Sequence, residues 1–431
     1  MRKALAVVYA TVVLDAAGIG LTLPIFPRLL QEVGHSYDLG WHFGAFLAIY
    51  ALMQFLFSPV LGSLSDRIGR RPVMIFSLGG SVIDYLFMAS APSLWLLFLG
   101  RTIAGITGAS NAVACAYVAD MTSEAERTRR FAQLSACFGI GFIAGPAVGG
   151  MLGEYSLRLP FIAAAILNAA NLLMAFVFLP ETRRFQAAAS KPSFKPLANL
   201  KWILEFPQIL PLIGGFFVLA LVGEVGGTVW VLYGQDKFSW SPMMIGISLA
   251  AFGFFHAVVQ AFVAGPISER WGQRRALLIA IVSDGAAYIS IALVSYGWMA
   301  FLLMPLFCLG GIGAPALQSL VTSHVHETHQ GRLQGLLASM TSLASIIGPV
   351  AISAIYFASR HTFPGFVWLF GAALYLLCLP LTGARGLTHR PRSSSRGRGF
   401  LSTHRRPHHQ VDQQKQDDRT EHACEPLDRG G

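Results

Sequence analysis

Long apolar runs separated by short polar breaks fill most of the chain up to about residue 382. A membrane helix needs roughly 20 apolar residues to cross the hydrocarbon core, and twelve runs meet that length: about 4–26, 42–62, 73–91, 94–117, 131–152, 160–179, 209–232, 243–266, 276–294, 298–320, 334–357 and 363–382. The predicted fold class is therefore an all-α membrane protein of 12 transmembrane helices. The first run follows a basic start, as a secretory signal does. It nevertheless holds Asp15, runs into Pro24 and Pro27 and lacks a small-residue cleavage site, so it reads as span 1.

Composition agrees. Of 431 residues, 54% are hydrophobic and 13% charged, against about 25% charged in an ordinary soluble domain. The net charge of +10 would suit nucleic acid, but its distribution points elsewhere. Loops on one side carry 17 Lys and Arg ahead of the tail, and loops on the other carry four: Arg28, Arg158, Lys237 and Arg360. That asymmetry predicts a multi-pass protein with both termini in the cytoplasm. The cysteines, Cys115, Cys137, Cys308, Cys378 and Cys424, show no pairing or metal-ligand spacing and read as packing residues.

The stretch GSLSDRIGRRP begins at Gly62, and a weaker copy, GPISERWGQRR, begins at Gly265, 203 residues later. Each lies between the second and third spans of its half, so the repeat is one of whole six-helix bundles. The predicted organisation is an N-terminal bundle over 1–180, a cytoplasmic linker over 181–208, a C-terminal bundle over 209–382 and a disordered cytoplasmic tail over 383–431. In the loop, Gly62 and Gly69 are expected to allow a tight turn. Asp66 is expected to cap the following helix and pair with an arginine. Arg67, Arg70 and Arg71 are the candidate gate on the cytoplasmic side. In the copy, Glu269, Arg270, Gln273 and Arg274 replace Asp66, Arg67, Arg70 and Arg71.

Four carboxylates lie inside spans: Asp15, Asp84, Glu224 and Asp284. Each costs about 2.5–3.5 kcal/mol at a helix centre facing lipid, so all four are expected to face a wet cavity, as proton carriers or cation ligands. They fall in spans 1, 3, 7 and 9, in pairs equivalent across the halves. His256 in span 8 has Gln260 one turn on, and its ordinary titration range suits proton relay. Arg101 in span 4 is the one basic residue within a span and requires a counter-ion. Span 5 carries GFIAGPAVGG, in which Pro146 bends the helix and Gly145 and its neighbours admit another helix closely.

The charged loop resembles the signature of the major facilitator superfamily, and the glycine–proline string resembles the motif that marks its exporters. Further runs, among them VVLDAAGIGLTLPIFP, IDYLFMASAP, GRTIAGITGA, GISLAAFGFFHAVVQAF and LQGLLASMTSLASIIGP, stand in the order of the twelve-helix tetracycline/proton antiporters, and the resemblance covers about residues 5–382. It implies export of a tetracycline–divalent metal chelate, with Mg2+ or a similar ion belonging to the substrate, driven by the proton gradient across a bacterial inner membrane. It implies no bound cofactor, no metal site of the protein's own and a monomer in the lipid bilayer. Asp15, Asp84, His256 and Asp284 match the proton-coupling residues. Gln54, Asp84, Glu224, His256 and Gln260 match substrate-binding positions, and Gly62, Asp66, Arg67, Gly69, Arg70 and Arg71 match the gate. Arg101, Gly145 and Pro146 belong to structural motifs. The chain departs from the pattern at Glu224, where the family usually has glutamine, at Gly226 for proline, at Ser110-Asn111 for Thr-Gly, at LPIFP for MPVLP, and throughout the tail.

Efflux of another drug, a phenicol or lipophilic cation, is the nearest alternative, favoured by Glu224. A proton-coupled importer fits the span 5 string less well. An enzyme would require a nucleophile–base pair or metal cluster, and the one histidine group, His324, His326 and His329, falls in a loop. No phosphate-binding glycine loop is present.

Overall fold

Prolines and glycines decide where the apolar runs bend. The computed structural model describes residues 2–182, 210–325 and 329–378. The predicted linker, beyond its first two residues, and the predicted tail lie outside the described residues. The first run forms α1 (Arg2–Thr22), a 3-10 turn (Leu23–Ile25) and α2 (Phe26–Gly34). Pro24 and Pro27, which lack N–H donors, mark that break without ending the span, which continues to Gly34 rather than stopping near residue 26.

Next come α3 (Trp41–Ile68), α4 (Arg70–Ser90), α5 (Leu94–Thr107), α6 (Ser110–Met121), α7 (Glu124–Tyr155) and α8 (Leu159–Phe178). The later residues form α9 (Leu210–Phe238), α10 (Pro242–Phe262), α11 (Ala264–Leu293), α12 (Gly297–Gly310), α13 (Gly313–Ser323), α14 (Gln330–Ser359) and α15 (Phe366–Leu376). Among the described residues eleven spans are long and apolar enough to cross a membrane, and α15, the twelfth, is shorter.

Spans 4 and 10, expected to be continuous, are each broken: α5 from α6 at Gly108–Ala109, α12 from α13 at Gly311–Ile312. In the second case Pro315 cannot donate to the carbonyl four residues back, that of Gly311. Gln260 Nε2 donates to this carbonyl at 3.0 Å, and Gln54 Nε2 donates to the Gly108 carbonyl, also at 3.0 Å. One repeated glutamine thus satisfies the open backbone of each broken span.

The α3–α4 and loop-copy junctions match as well. Gly69 has φ +109° and Gly272 φ +79°, a left-handed region that favours glycine. Gly62 does not form part of the turn. It lies inside α3, and a Cβ there would meet nothing within 4 Å. The helix simply runs on to Ile68, leaving a one-residue reversal. Around the first junction the core of the N-terminal bundle is assembled from Leu61, Val73, Met74, Leu78, Tyr117 and Val118, all buried.

Helix α7 meets two neighbours through its glycines. Cβ atoms at Gly141, Gly145 and Gly149 would lie within 2.6 Å of α1 carbonyls, and Gly150 would meet the Pro242 carbonyl at 2.5 Å. Spacing by four residues places the first three on one face, so the string admits α1 on that face and α10 beside it.

Candidate functional site

Charge gathers first at the α3–α4 junction. The Arg70 side chain is buried and pairs with Asp66 at 2.8 Å and Asp120 at 2.9 Å, while Nη1 donates to Ser65 Oγ at 2.6 Å. Asp66 does not cap α4. Glu181 does so, accepting from the Arg70 N–H at 2.9 Å and the Arg71 N–H at 3.1 Å. Asp66 lies on the last turn of α3, one helical turn before Arg70, where it meets the guanidinium rather than the free amides of the next helix. Arg71 donates to the Phe176 carbonyl and lies over the Phe176 ring. Arg67 occupies the last turn of α3. Asp120 and Glu181 were not singled out in the sequence, since acids at span ends are ordinary there.

The four membrane carboxylates have different partners. Asp84, buried, lies 3.4 Å from Arg101, whose guanidinium covers the Phe26 ring at 4.4 Å and the Phe46 ring at 5.3 Å. Asp15 accepts from Ser110 Oγ at 2.6 Å, and Glu224 from Ser345 Oγ at 2.6 Å. Asp284 accepts from Tyr375 Oη. Asp15 and Glu224 thus each have a serine partner, whereas Asp84 is met from span 4 and Asp284 from span 12.

A cavity of ≈ 500 Å³ lies between the two sets of helices, lined by Leu23, Phe26, Phe43, Leu47 and Phe142 from one and by Trp230, Phe252, Tyr288, Phe307 and Trp368 from the other. Asp284 and His256 stand in its wall. Consecutive glycines of α12 and the following break seat them: a Cβ at Gly310 would lie 2.4 Å from Asp284 Cγ, and one at Gly311 would lie 2.8 Å from His256 Cε1. The rings pack edge to face, Tyr288 against Trp368 at 5.2 Å and Trp230 against Phe307 at 6.0 Å. Asp15, Asp84, Glu224, Gln54 and Gln260 are not among the residues that line this cavity. Of the four membrane carboxylates, Asp284 is the one that lines this cavity. The aromatic wall was not recognised in the sequence, because rings scattered over α9–α15 show no local pattern.

Polar links between the two sets of helices gather at the end opposite the charged loop. Arg28 Nη2 donates to the Trp240 carbonyl at 3.1 Å, and Glu154 accepts from the Met243 N–H at 3.0 Å. Ser353 Oγ donates to the Gly40 carbonyl at 2.6 Å and accepts from the Gly44 N–H at 3.2 Å. Arg360 donates to the Tyr37 carbonyl at 3.3 Å. Among the described residues no three His, Cys, Asp or Glu side chains are grouped to hold a metal. His324 Nδ1 donates to the Leu320 carbonyl at 2.7 Å, and His326 lies outside the described residues.

The family model described as Major Facilitator Superfamily matches residues 8–349, and again 212–408. The human organic anion transporter MFSD10 shares the fold at TM-score 0.64 and 24% identity, covering 88% of this chain and 99% of that one. The nucleoside transporter NupG does so at TM-score 0.72 and 16% identity, with coverage of 89% and 99%. The tetracycline resistance protein, class G, of Vibrio anguillarum is 46% identical, over 88% of this chain and 97% of that protein. The class C protein of Escherichia coli is 49% identical over 380 residues, which are 88% of this chain and 96% of that one. Identity of that extent, nearly end to end, leaves no ambiguity of kinship: the chain belongs to the major facilitator superfamily, in the family of the tetracycline resistance proteins.

Proposed function

We propose that this chain exports tetracycline, carried as a chelate with Mg2+ or a similar divalent cation, in exchange for protons across a bacterial inner membrane, with both termini in the cytoplasm. The family is one of transporters, so the chain is a carrier and not an enzyme. The observation that carries the substrate reading is the placement of Asp284 and His256 on the wall of one aromatic-lined cavity between the two six-span halves. A chelate presents a polar, cation-bearing edge and a flat apolar body. A carboxylate and an imidazole suit the first, stacked rings the second.

In this reading Asp284 exchanges its proton for the drug and His256 relays it, with Asp15 as a further proton-coupling group. Asp84, ion-paired with Arg101, is a further proton-coupling and substrate-binding group. Gln54 and Gln260 shape the path by holding the broken spans. The Asp66–Arg70–Asp120 cluster is the cytoplasmic gate, and the polar links at the opposite end are the seal of a state open to the cytoplasm. Glu224, the feature that favours another cationic drug, bonds Ser345 of α14 and is not among the residues lining the cavity, which supports the tetracycline reading over that alternative.

Everted inner-membrane vesicles give the test. Tetracycline uptake that requires both Mg2+ and an imposed pH gradient, and that disappears in Asp284→Asn with the protein still inserted, is the expected result. Absence of uptake by the native protein would sink the drug assignment and leave the fold standing.

A further inference from the structure

We propose that Glu224 carries a proton of its own in each transport cycle, so that exchange moves one proton more than it would with glutamine at this position. The inference rests on the efflux reading above and changes the role of this residue from drug ligand to coupling group.

The partners of the membrane carboxylates separate them into two kinds. Asp84 has a fixed cation, Arg101, at 3.4 Å. Glu224 has a neutral hydroxyl, that of Ser345, at 2.6 Å, and among the described residues no Lys or Arg forms an ion pair with it. A carboxylate beside a fixed cation has a partner for its charge away from water. One held by a single hydroxyl must take up a proton when the bundle closes over it and give it back when water returns. Asp284, held by Tyr375, and Asp15, held by Ser110, are of this second kind. Glu224 repeats on span 7 the serine–carboxylate contact of span 1.

Water has a route to it. Gly223, Gly226 and Gly227 line the cavity, and a Cβ on any of them would meet nothing within 4 Å. A strip of bare backbone therefore runs from the cavity past Glu224. The side chain itself turns to α14, where a Cβ at Gly348 would lie 2.9 Å from Glu224 Cβ. That is the placement of a group reached by water and not by a drug.

The groups around it are few. Helix α14 faces it with Ser345 and Gly348, and its charges, Arg332 and Arg360, lie at the helix ends. Helix α11 brings Tyr288, which donates to the Val222 carbonyl at 2.9 Å, with Asp284 one turn before. Helix α15 brings Tyr375, and α13 carries no charged residue. The step is a simple exchange. The carboxylate forms one O–H bond with a proton from the outer side and breaks it toward the cytoplasm.

The experiment measures the steady accumulation of tetracycline, with Mg2+ present, by the full chain in proteoliposomes held at zero membrane potential over a series of pH gradients. Each coupled proton contributes about tenfold accumulation per pH unit. Glu224→Gln is expected to lower that slope by one factor of ten per pH unit, with tetracycline affinity of the purified protein within about twofold of native, and Glu224→Asp to restore the slope. An unchanged slope in Glu224→Gln overturns the proposal, as does a large loss of affinity. If Glu224→Gln inserts but does not transport, proton release on adding tetracycline and Mg2+ to purified protein decides: one proton fewer than native supports the proposal, equal release overturns it. A native protein that accumulates no tetracycline fails the efflux reading itself, and the inference with it.

Discussion

Asp284 stands between a tyrosine hydroxyl on α15 and the bare backbone of Gly310. Its position thus depends on a residue with no side chain. Gly310→Ala would place a methyl 2.4 Å from Asp284 Cγ and push the carboxyl from the cavity wall. Gradient-driven uptake is expected to fall at least about tenfold, equivalent to about 1.4 kcal/mol, with the same amount of protein in the membrane by immunoblot. Arg101 gives a second prediction at this scale. Removing one partner of a buried ion pair costs about 3–5 kcal/mol, so Arg101→Ala is expected to lower the thermal unfolding temperature in detergent. Asp84→Asn with Arg101→Gln should recover much of that loss, since no lone charge remains. The sequence exposed both charges as misfits in apolar runs. It left the counter-ion of Arg101 open, and only packing chose Asp84, by seating the guanidinium against the Phe26 and Phe46 rings.

Helices α3 and α4, and the two segments of α11, turn on single glycines at equivalent positions. Their surroundings differ. Gly69 has left-handed φ and a Cβ there would also meet the Glu181 carboxylate at 2.3 Å, whereas a Cβ at Gly272 has open space. Gly272→Ala is expected to cost only the backbone strain, about 1–3 kcal/mol, whereas Gly69→Ala should cost more and loosen the Glu181 cap. Thermal stability of the two variants side by side checks the order. The broken spans carry the same lesson. Gln54 and Gln260 were visible as polar residues on helix faces, and the resemblance assigned them to the drug path. Their bonds to Gly108 and Gly311 show a backbone duty as well. Gln260→Leu is expected to lose about 0.5–1.5 kcal/mol by removing the bond to a half-buried carbonyl, measured by unfolding in detergent with no drug present.

The two halves are tied at one end by Arg28, Glu154, Ser353 and Arg360. Alternating access requires those ties to break when the cavity opens the other way. A cysteine at Leu47, on the cavity wall, is expected in an otherwise cysteine-free chain to react with an impermeant thiol reagent from the charged-loop face and to resist it from the opposite face. Arg28→Ala with Glu154→Gln should narrow the difference by several-fold, about 1 kcal/mol of shifted population. Equal labelling from both faces in the native background would contradict the assigned state.

Read alone, the sequence determined the spans, their repeat and the presence of costly membrane charges. These are properties of residue type and spacing, and a bilayer imposes them on any chain it accepts. It did not determine which groups meet. The Glu181 cap on α4, the Arg70–Asp120 pair, the glycine seats of Asp284 and His256 and the ring wall of the cavity join residues tens to more than a hundred positions apart. Such contacts leave no local period. The tertiary structure decided them, because only helix packing sets which side chain reaches a cavity and which reaches a neighbouring helix.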